Sequence, residues 1–137
     1  MLERILCVDD DPITLMLCKK VIQKSDLAHE IDTAVNGEDA LRYFDAITID
    51  STSGKINYPH LIFLDLNMPV MNGWEFLDVF SKENYSEKFS NIKVIVLSST
   101  IDPDDIDKSK EYPMVIDFLS KPITTEIIDL LKRNNVI

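Results

Sequence analysis

Short apolar runs alternate with amphipathic stretches along the chain, and this alternation predicts five strands and five helices. The predicted strands are Arg4–Val8, Glu30–Val35, His60–Leu64, Ile92–Leu97 and Val115–Leu119. The stretches between them repeat apolar residues every three or four positions, as helices with one buried face do. The predicted helices begin at Pro12, run from Glu38 to about Thr48, from Gly73 to about Asn84, from Pro103 to about Tyr112, and from Thr124 to about Asn134. Because parallel neighbours need helical crossovers, the order predicts an α/β fold with a parallel sheet and helices on both faces.

Local signals support several of these boundaries. Asp11 precedes Pro12, a pairing typical of an N-cap followed by proline at the first helical position. Asn36-Gly37 ends the second predicted strand, and the polar segment Ser51–Pro59 predicts a loop before the third.

Composition and charge narrow the class of protein. A length of 137 residues fits one domain. The net charge of −10 argues against a nucleic-acid partner or an anionic membrane surface, and it suits a protein that binds cations or basic partners. Cys7 and Cys18 fall within apolar patterns, so we expect buried free thiols in a reducing compartment rather than a disulfide framework. With no apolar segment of leader or membrane-spanning length, the expected location is the cytoplasm.

Polar residues follow four of the five predicted strands. Asp9 and Asp10 follow the first strand, Asp65 the third, Ser98 the fourth, and Lys121 comes shortly after the fifth. The carboxyl ends of parallel strands share one edge of the sheet, where such folds bind ligands. Three carboxylates at one edge repel one another unless a cation enters, and hard oxygen ligands suit Mg²⁺. One carboxylate can attack phosphorus while a lysine and a hydroxyl donate to the phosphoryl oxygens, so the pattern predicts a Mg²⁺-dependent phosphoryl site.

Four stretches at these strand ends carry a family resemblance. They are VDDDP (Val8–Pro12), LDLNMPVMNG (Leu64–Gly73), VIVLSS (Val94–Ser99) and FLSKP (Phe118–Pro122). With them, in this order, essentially the whole chain resembles the response-regulator receiver domains of two-component signalling. The resemblance implies the flavodoxin-like receiver fold with strand order 2-1-3-4-5. We expect one receiver domain over residues 1–137 and no output domain, because Lys132–Ile137 is too short to form one.

The resemblance implies a role for each residue at the acidic edge. Asp65 would be the phosphoacceptor and a Mg²⁺ ligand. Asp10 would bind the Mg²⁺ directly, Asp9 mainly through water, and the backbone carbonyl of Asn67 would be a further ligand.

It also implies a switch beside that site. Ser98 would donate to a phosphoryl oxygen and draw its loop inward, and Lys121 would pair with another oxygen. The bond from Lys121 to Pro122 would be cis, and Phe118 would take the place of the family's aromatic switch. Ser98 replaces the commoner threonine, and Phe118 the frequent tyrosine. Two connections, Thr48–Pro59 and Glu83–Asn91, are longer than the family's usual ones.

The implied partners are proteins. The phosphodonor would be a phosphohistidine on a sensor histidine kinase or a phosphotransfer protein, and the signal would pass to an unknown downstream protein. The chain would be a monomer, or a weak dimer through the face formed by the Pro103–Tyr112 helix, the fifth strand and the last helix. No nucleic acid or membrane would be bound, and the chain would not be an enzyme beyond slow self-dephosphorylation.

Several alternatives stay open on the sequence alone. Asp11 is a helix cap or a metal ligand, Asp9 a ligand or only a neighbouring charge, and Phe118 a static core aromatic or a moving one. The chain could be a receiver-like binding module that is never phosphorylated. A phosphatase acting through an aspartyl phosphate is a third reading, but such enzymes typically need an acid where this chain has Asn67.

Overall fold

A five-stranded parallel sheet in the order β2-β1-β3-β4-β5 forms the centre of the molecule. The structure is a computed structural model that describes residues 2–47 and 58–137, apart from the side chains of Glu83 and Asn84. The strands are β1 Leu2–Val8, β2 Ala28–Ala34, β3 Leu61–Leu64, β4 Lys93–Ser98 and β5 Val115–Ser120. The helices are α1 Pro12–Lys24, α2 Gly37–Asp45, α3 Gly73–Phe80, α4 Glu83–Lys88, α5 Pro103–Ser109 and α6 Thr125–Arg133. The predicted fold class and strand order are confirmed.

Alternating side chains of the inner strands fill two cores, one on each face of the sheet. In β1, Leu6 and Val8 pack into the core beneath α2 and α3, whereas Ile5 and Cys7 pack into the core beneath α1 and α6. The strands β3 and β4 divide their side chains in the same way. Burial on both faces explains why these strands read as continuous apolar runs in the sequence.

Helix caps fix where the chain leaves the edge of the sheet. The Asp11 carboxylate accepts a hydrogen bond from the Ile13 N–H at 2.9 Å, which confirms Asp11 as the N-cap of α1. A capping box begins α3, because Asn72 and Glu75 each accept a hydrogen bond from the other's backbone N–H.

The predicted helix from Gly73 to about Asn84 is wrong in its length. It ends at Phe80, and the separate helix α4 follows, so the described part of the chain has six helices rather than five. The turn between them lets Phe80 and Phe89 both pack on Phe44, at ring-centroid distances of 4.7 and 5.0 Å. A continuous helix would carry the residues after Phe80 away from that core, so burial of the aromatic rings favours the break.

The remaining boundaries agree within a few residues. The strand β1 begins at Leu2 rather than Arg4, and β2 covers Ala28–Ala34 rather than Glu30–Val35. The predicted end of the second helix at Thr48, and most of the predicted loop Ser51–Pro59, lie outside the described residues. No helix in the described ranges combines the length and apolar character that crossing a membrane requires.

Candidate functional site

Backbone hydrogen bonds that continue the sheet past its strand ends bring the candidate functional residues together. The Asp9 N–H donates to the Ala34 carbonyl at 3.0 Å, and the Asp65 N–H donates to the Val8 carbonyl at 2.9 Å. The Lys121 N–H likewise donates to the Ser98 carbonyl at 2.8 Å. The sheet therefore fixes the backbone under both buried acids and under the lysine.

Three carboxylates converge at this edge. Asp9, Asp10 and Asp65 each offer an oxygen, and these oxygens all lie within 4.8 Å of one another. Asp9 and Asp65 are buried, at 5% and 6% exposure, while Asp10 faces solvent. Carboxylate oxygens this close, with one side open to water, match the ligands that Mg²⁺ takes in proteins. The donor set therefore fits the ion that the sequence predicts.

Lys121 lies between the two buried acids. Its Nζ is 2.6 Å from Asp9 Oδ2 and 3.3 Å from Asp65 Oδ1. The other oxygen of Asp9 accepts a hydrogen bond from the Asp11 N–H at 2.9 Å. Asp9 therefore holds the lysine over the acids, a contact that sequence reasoning did not anticipate. The peptide bond from Lys121 to Pro122 is cis, as expected.

Burial and charge shift two titrating groups in the site. Burial raises the pKa of the Asp65 carboxyl, and the Asp9 charge raises it further, against opposing effects of Lys121 and the Asn67 N–H. Burial alone would lower the pKa of the Lys121 ammonium, but Asp9 and Asp65 together raise it above its ordinary value. The raised pKa of Lys121 keeps its ammonium charged, and the raised pKa of Asp65 makes this carboxyl ionise less readily than an ordinary aspartate.

The predicted switch residues sit on the two strands beside the acids. Ser98 is buried at the end of β4, and its hydroxyl donates to the Thr100 carbonyl at 2.6 Å. Phe118 is partly exposed on β5, in register with Val96 of β4. Asn67 is exposed, and its backbone N–H is a hydrogen-bond partner of Asp65. The structure thus joins the acids and Lys121 directly, while the Ser98 hydroxyl is bonded within its own loop.

A family model for the response regulator receiver domain matches residues 5–132. This range includes all three clustered acids and Lys121. The chain belongs to the response-regulator receiver family.

Two curated relatives of this receiver are much longer than it. Hybrid signal transduction histidine kinase L of Dictyostelium discoideum is 30% identical over 97% of the receiver, which covers 7% of that protein. A protein-glutamate methylesterase/protein-glutamine glutaminase of Clostridium acetobutylicum is 31% identical over 97% of the receiver, which covers 36% of it. The receiver therefore spans only a minor part of these relatives.

Solved structures of similar length share the fold. A two-component response regulator from Cytophaga hutchinsonii superposes with a TM-score of 0.82 at 29% identity, covering 98% of this receiver and 97% of that chain. A two-component response regulator from Legionella pneumophila superposes with a TM-score of 0.75 at 28% identity, covering 98% of this receiver and 99% of that chain.

Two residues of this receiver that shape the loop between Asp65 and α3 escaped the sequence analysis. A Cβ on Gly73 would lie 2.5 Å from the Asp65 carbonyl oxygen and 2.9 Å from the Leu66 Cα. Only glycine therefore lets α3 begin this close to the backbone of Asp65. Val70 has a φ of 68°, an uncommon backbone conformation for a β-branched residue. The glycine stands in the quoted motif, but its backbone contact becomes visible only in three dimensions.

Proposed function

We propose that Asp65 accepts a phosphoryl group from a phosphohistidine on a sensor kinase or phosphotransfer protein, in a Mg²⁺-dependent reaction. The observation that carries this proposal is the convergence of three acids and Lys121 at one edge of the sheet. Burying a carboxylate beside two further acids is energetically unfavourable, so packing alone does not explain this arrangement. The same carboxylate, with a charged lysine next to it, is suited to accept a phosphoryl group.

Asp10 and Asp65 would hold the cation, with Asp9 acting through water and the Asn67 carbonyl as a further ligand. When bound, Mg²⁺ supplies positive charge that offsets the repulsion among the carboxylates and faces the phosphoryl oxygens. The surrounding residues provide the rest of the chemistry.

In the transfer, an oxygen of the Asp65 carboxylate bonds to phosphorus as the bond from phosphorus to the donor imidazole nitrogen breaks. The electron pair of that bond stays on the imidazole nitrogen. Lys121, already 3.3 Å from Asp65 Oδ1, donates to one phosphoryl oxygen. Ser98 donates to another once its hydroxyl leaves Thr100, and water later removes the phosphoryl group slowly.

The signal would leave through protein contacts. Movement of Ser98 pulls on the loop that leads into α5, and this shifts an existing equilibrium of the surface formed by α5, β5 and α6, with Phe118 following. The free, buried thiols Cys7 and Cys18 support a reducing, cytoplasmic location for this exchange.

Intact-mass spectrometry after incubation with Mg²⁺ and an acyl phosphate tests the proposal. We expect the wild-type protein to gain one phosphoryl group, and a chelator to abolish the gain. Asp65→Asn should gain none, whereas Asp129→Asn, which removes an exposed acid on α6, should behave as wild type. A gain that persists in Asp65→Asn would refute the assignment. Mg²⁺ binding with no phosphoryl gain in the wild type would favour the non-phosphorylated binding module instead.

A further inference from the structure

Four side chains tie α3 to α5 and to the residues just after it. The Trp74 ring stacks on Tyr112, with centroids 5.9 Å apart and planes 28° from parallel. Lys108 places its Nζ 4.6 Å from the centre of the Trp74 ring, within cation–π range. The Tyr112 hydroxyl donates to the carboxylate of Asp78 on α3. We call these four residues the aromatic clamp.

Apart from the clamp, α5 contacts the rest of the fold mainly at β5. Its single buried residue is Ser109, whose hydroxyl donates to the Ile106 carbonyl of the same helix. Asp104, Asp105 and Asp107 make the rest of the helix strongly polar. A short polar helix with one buried residue is readily displaced, so the clamp provides much of what holds it against α3.

The clamp connects to the phosphoacceptor at both of its ends. On α3, Trp74 follows Gly73, which lies against the backbone of Asp65. On the other side, α5 follows the loop in which the Thr100 carbonyl accepts from the Ser98 hydroxyl at 2.6 Å. The segment from Ser98 to Tyr112, which contains α5, is therefore restrained at its start by the Ser98–Thr100 hydrogen bond and at its end by the clamp.

We propose that the aromatic clamp holds α5 in the arrangement that keeps Ser98 bonded to Thr100, and so restrains the receiver from binding a phosphoryl group. This inference rests on the proposed function and adds a regulatory element to it. A contact that favours one of two arrangements lowers the affinity for any ligand that requires the other. Weakening the clamp should therefore strengthen the binding of a phosphoryl mimic at Asp65.

Two substitutions weaken the clamp with little loss of side-chain volume. Lys108→Met removes the cation and keeps an unbranched chain, and Tyr112→Phe removes the bond to Asp78 and keeps the ring. Calorimetric titration with beryllofluoride in the presence of Mg²⁺ measures the affinity. We expect each variant to bind about two- to fivefold more tightly than wild type, the range expected for loss of an exposed cation–π contact or of one exposed hydrogen bond.

Lys110→Met is the matched control. It removes the same charge from an exposed lysine two residues away, whose salt-bridge partner is Asp107 at 3.7 Å. Loss of a positive charge alone should weaken binding of the anionic mimic, so tightening by Lys108→Met and not by Lys110→Met isolates the clamp. Trp74 is the only tryptophan, so a change in its emission in Lys108→Met should report loss of the contact.

Wild-type affinity in both clamp variants, or equal tightening in Lys110→Met, would overturn the inference. Unchanged Trp74 emission in both clamp variants would do the same. Absence of beryllofluoride binding to the wild-type protein would instead overturn the proposed function itself, and the restraint with it.

Discussion

Asp65 combines the two features that most disfavour an ionised carboxylate, which are burial and a nearby like charge. Both raise its pKa, although Lys121 lies 3.3 Å from one of its oxygens. A group whose pKa is raised in the folded state stabilises the fold only below that pKa, and it loses this contribution as the pH rises through it. At neutral pH, ionised Asp65 therefore reduces the stability of the cation-free protein.

Asp65→Asn should consequently stabilise the protein at neutral pH in the presence of a chelator. We expect a gain of about 0.5–2 kcal/mol, the usual range for relieving a destabilised functional position. Thermal unfolding measures it, with Asp129→Asn as the control that should leave stability nearly unchanged. The gain in stability should shrink as the pH falls through the pKa of Asp65, because the protonated carboxyl carries no charge. It should also shrink when Mg²⁺ is added. A less stable Asp65→Asn variant in chelator at neutral pH would contradict this electrostatic interpretation.

Val70, in the loop between Asp65 and α3, has a backbone conformation that reduces the stability of the fold. Its φ of 68° suits glycine, and its side chain is 74% exposed, so few contacts depend on it. The left-handed conformation costs roughly 1–2 kcal/mol for a residue with a Cβ, against roughly 0.5–1 kcal/mol of extra chain entropy for glycine.

Val70→Gly should therefore raise stability by about 0.5–1 kcal/mol. The midpoint of chemical denaturation measures this change. Val70→Ala keeps the unfavourable conformation and should gain less. A lower midpoint for Val70→Gly than for wild type would show that the valine side chain stabilises the loop.

The helix α3 lies directly against the backbone of Asp65. Its first residue, Gly73, donates its N–H to the Leu66 carbonyl at 3.0 Å. Its Cα faces the Asp65 carbonyl, where a methyl group would lie 2.5 Å from the oxygen. Backbone atoms cannot move aside as side chains do, so α3 and the backbone at Asp65 and Leu66 must separate if residue 73 is enlarged.

Gly73→Ala should destabilise the protein by about 1–3 kcal/mol, the usual cost of overpacking, and should slow phosphorylation of Asp65. Gly37→Ala is the matched comparison, because its Cβ would first meet the flexible Met71 side chain at 2.7 Å. We expect the Gly37 variant to lose less stability. Denaturant unfolding and the rate of mass gain measure the two effects, and equal losses in both variants would contradict the contact at Gly73.

For the strands and helices, the sequence predicted which strands form but missed the break between α3 and α4. Strand ends, helix starts at Pro12 and Pro103, and the Asp11 cap follow from local chemistry, which a sequence displays directly. The break between α3 and α4 depends on Phe89 reaching Phe44, a contact between residues far apart in the chain. Hydrophobic spacing alone does not distinguish one bent helix from two short ones.

For the whole molecule, the sheet order explains why residues so far apart in sequence form one site. Parallel strands with helical crossovers place every strand's carboxyl end at the same edge, so Asp9, Asp65 and Lys121 meet although 112 positions separate the first and last. Their meeting was predictable from the strand pattern. The pairing of Lys121 with Asp9 was not, because it depends on side-chain positions within the site.

The most direct measurement of the central claim is to map the modified residue. Borohydride reduces an aspartyl phosphate to homoserine, so peptide mass spectrometry after phosphorylation and reduction identifies the acceptor. We predict conversion at residue 65 alone, dependent on Mg²⁺ and reduced in the Lys121→Ala variant. Conversion at another acid, with Asp65 intact, would contradict the assignment of Asp65 as the phosphoacceptor.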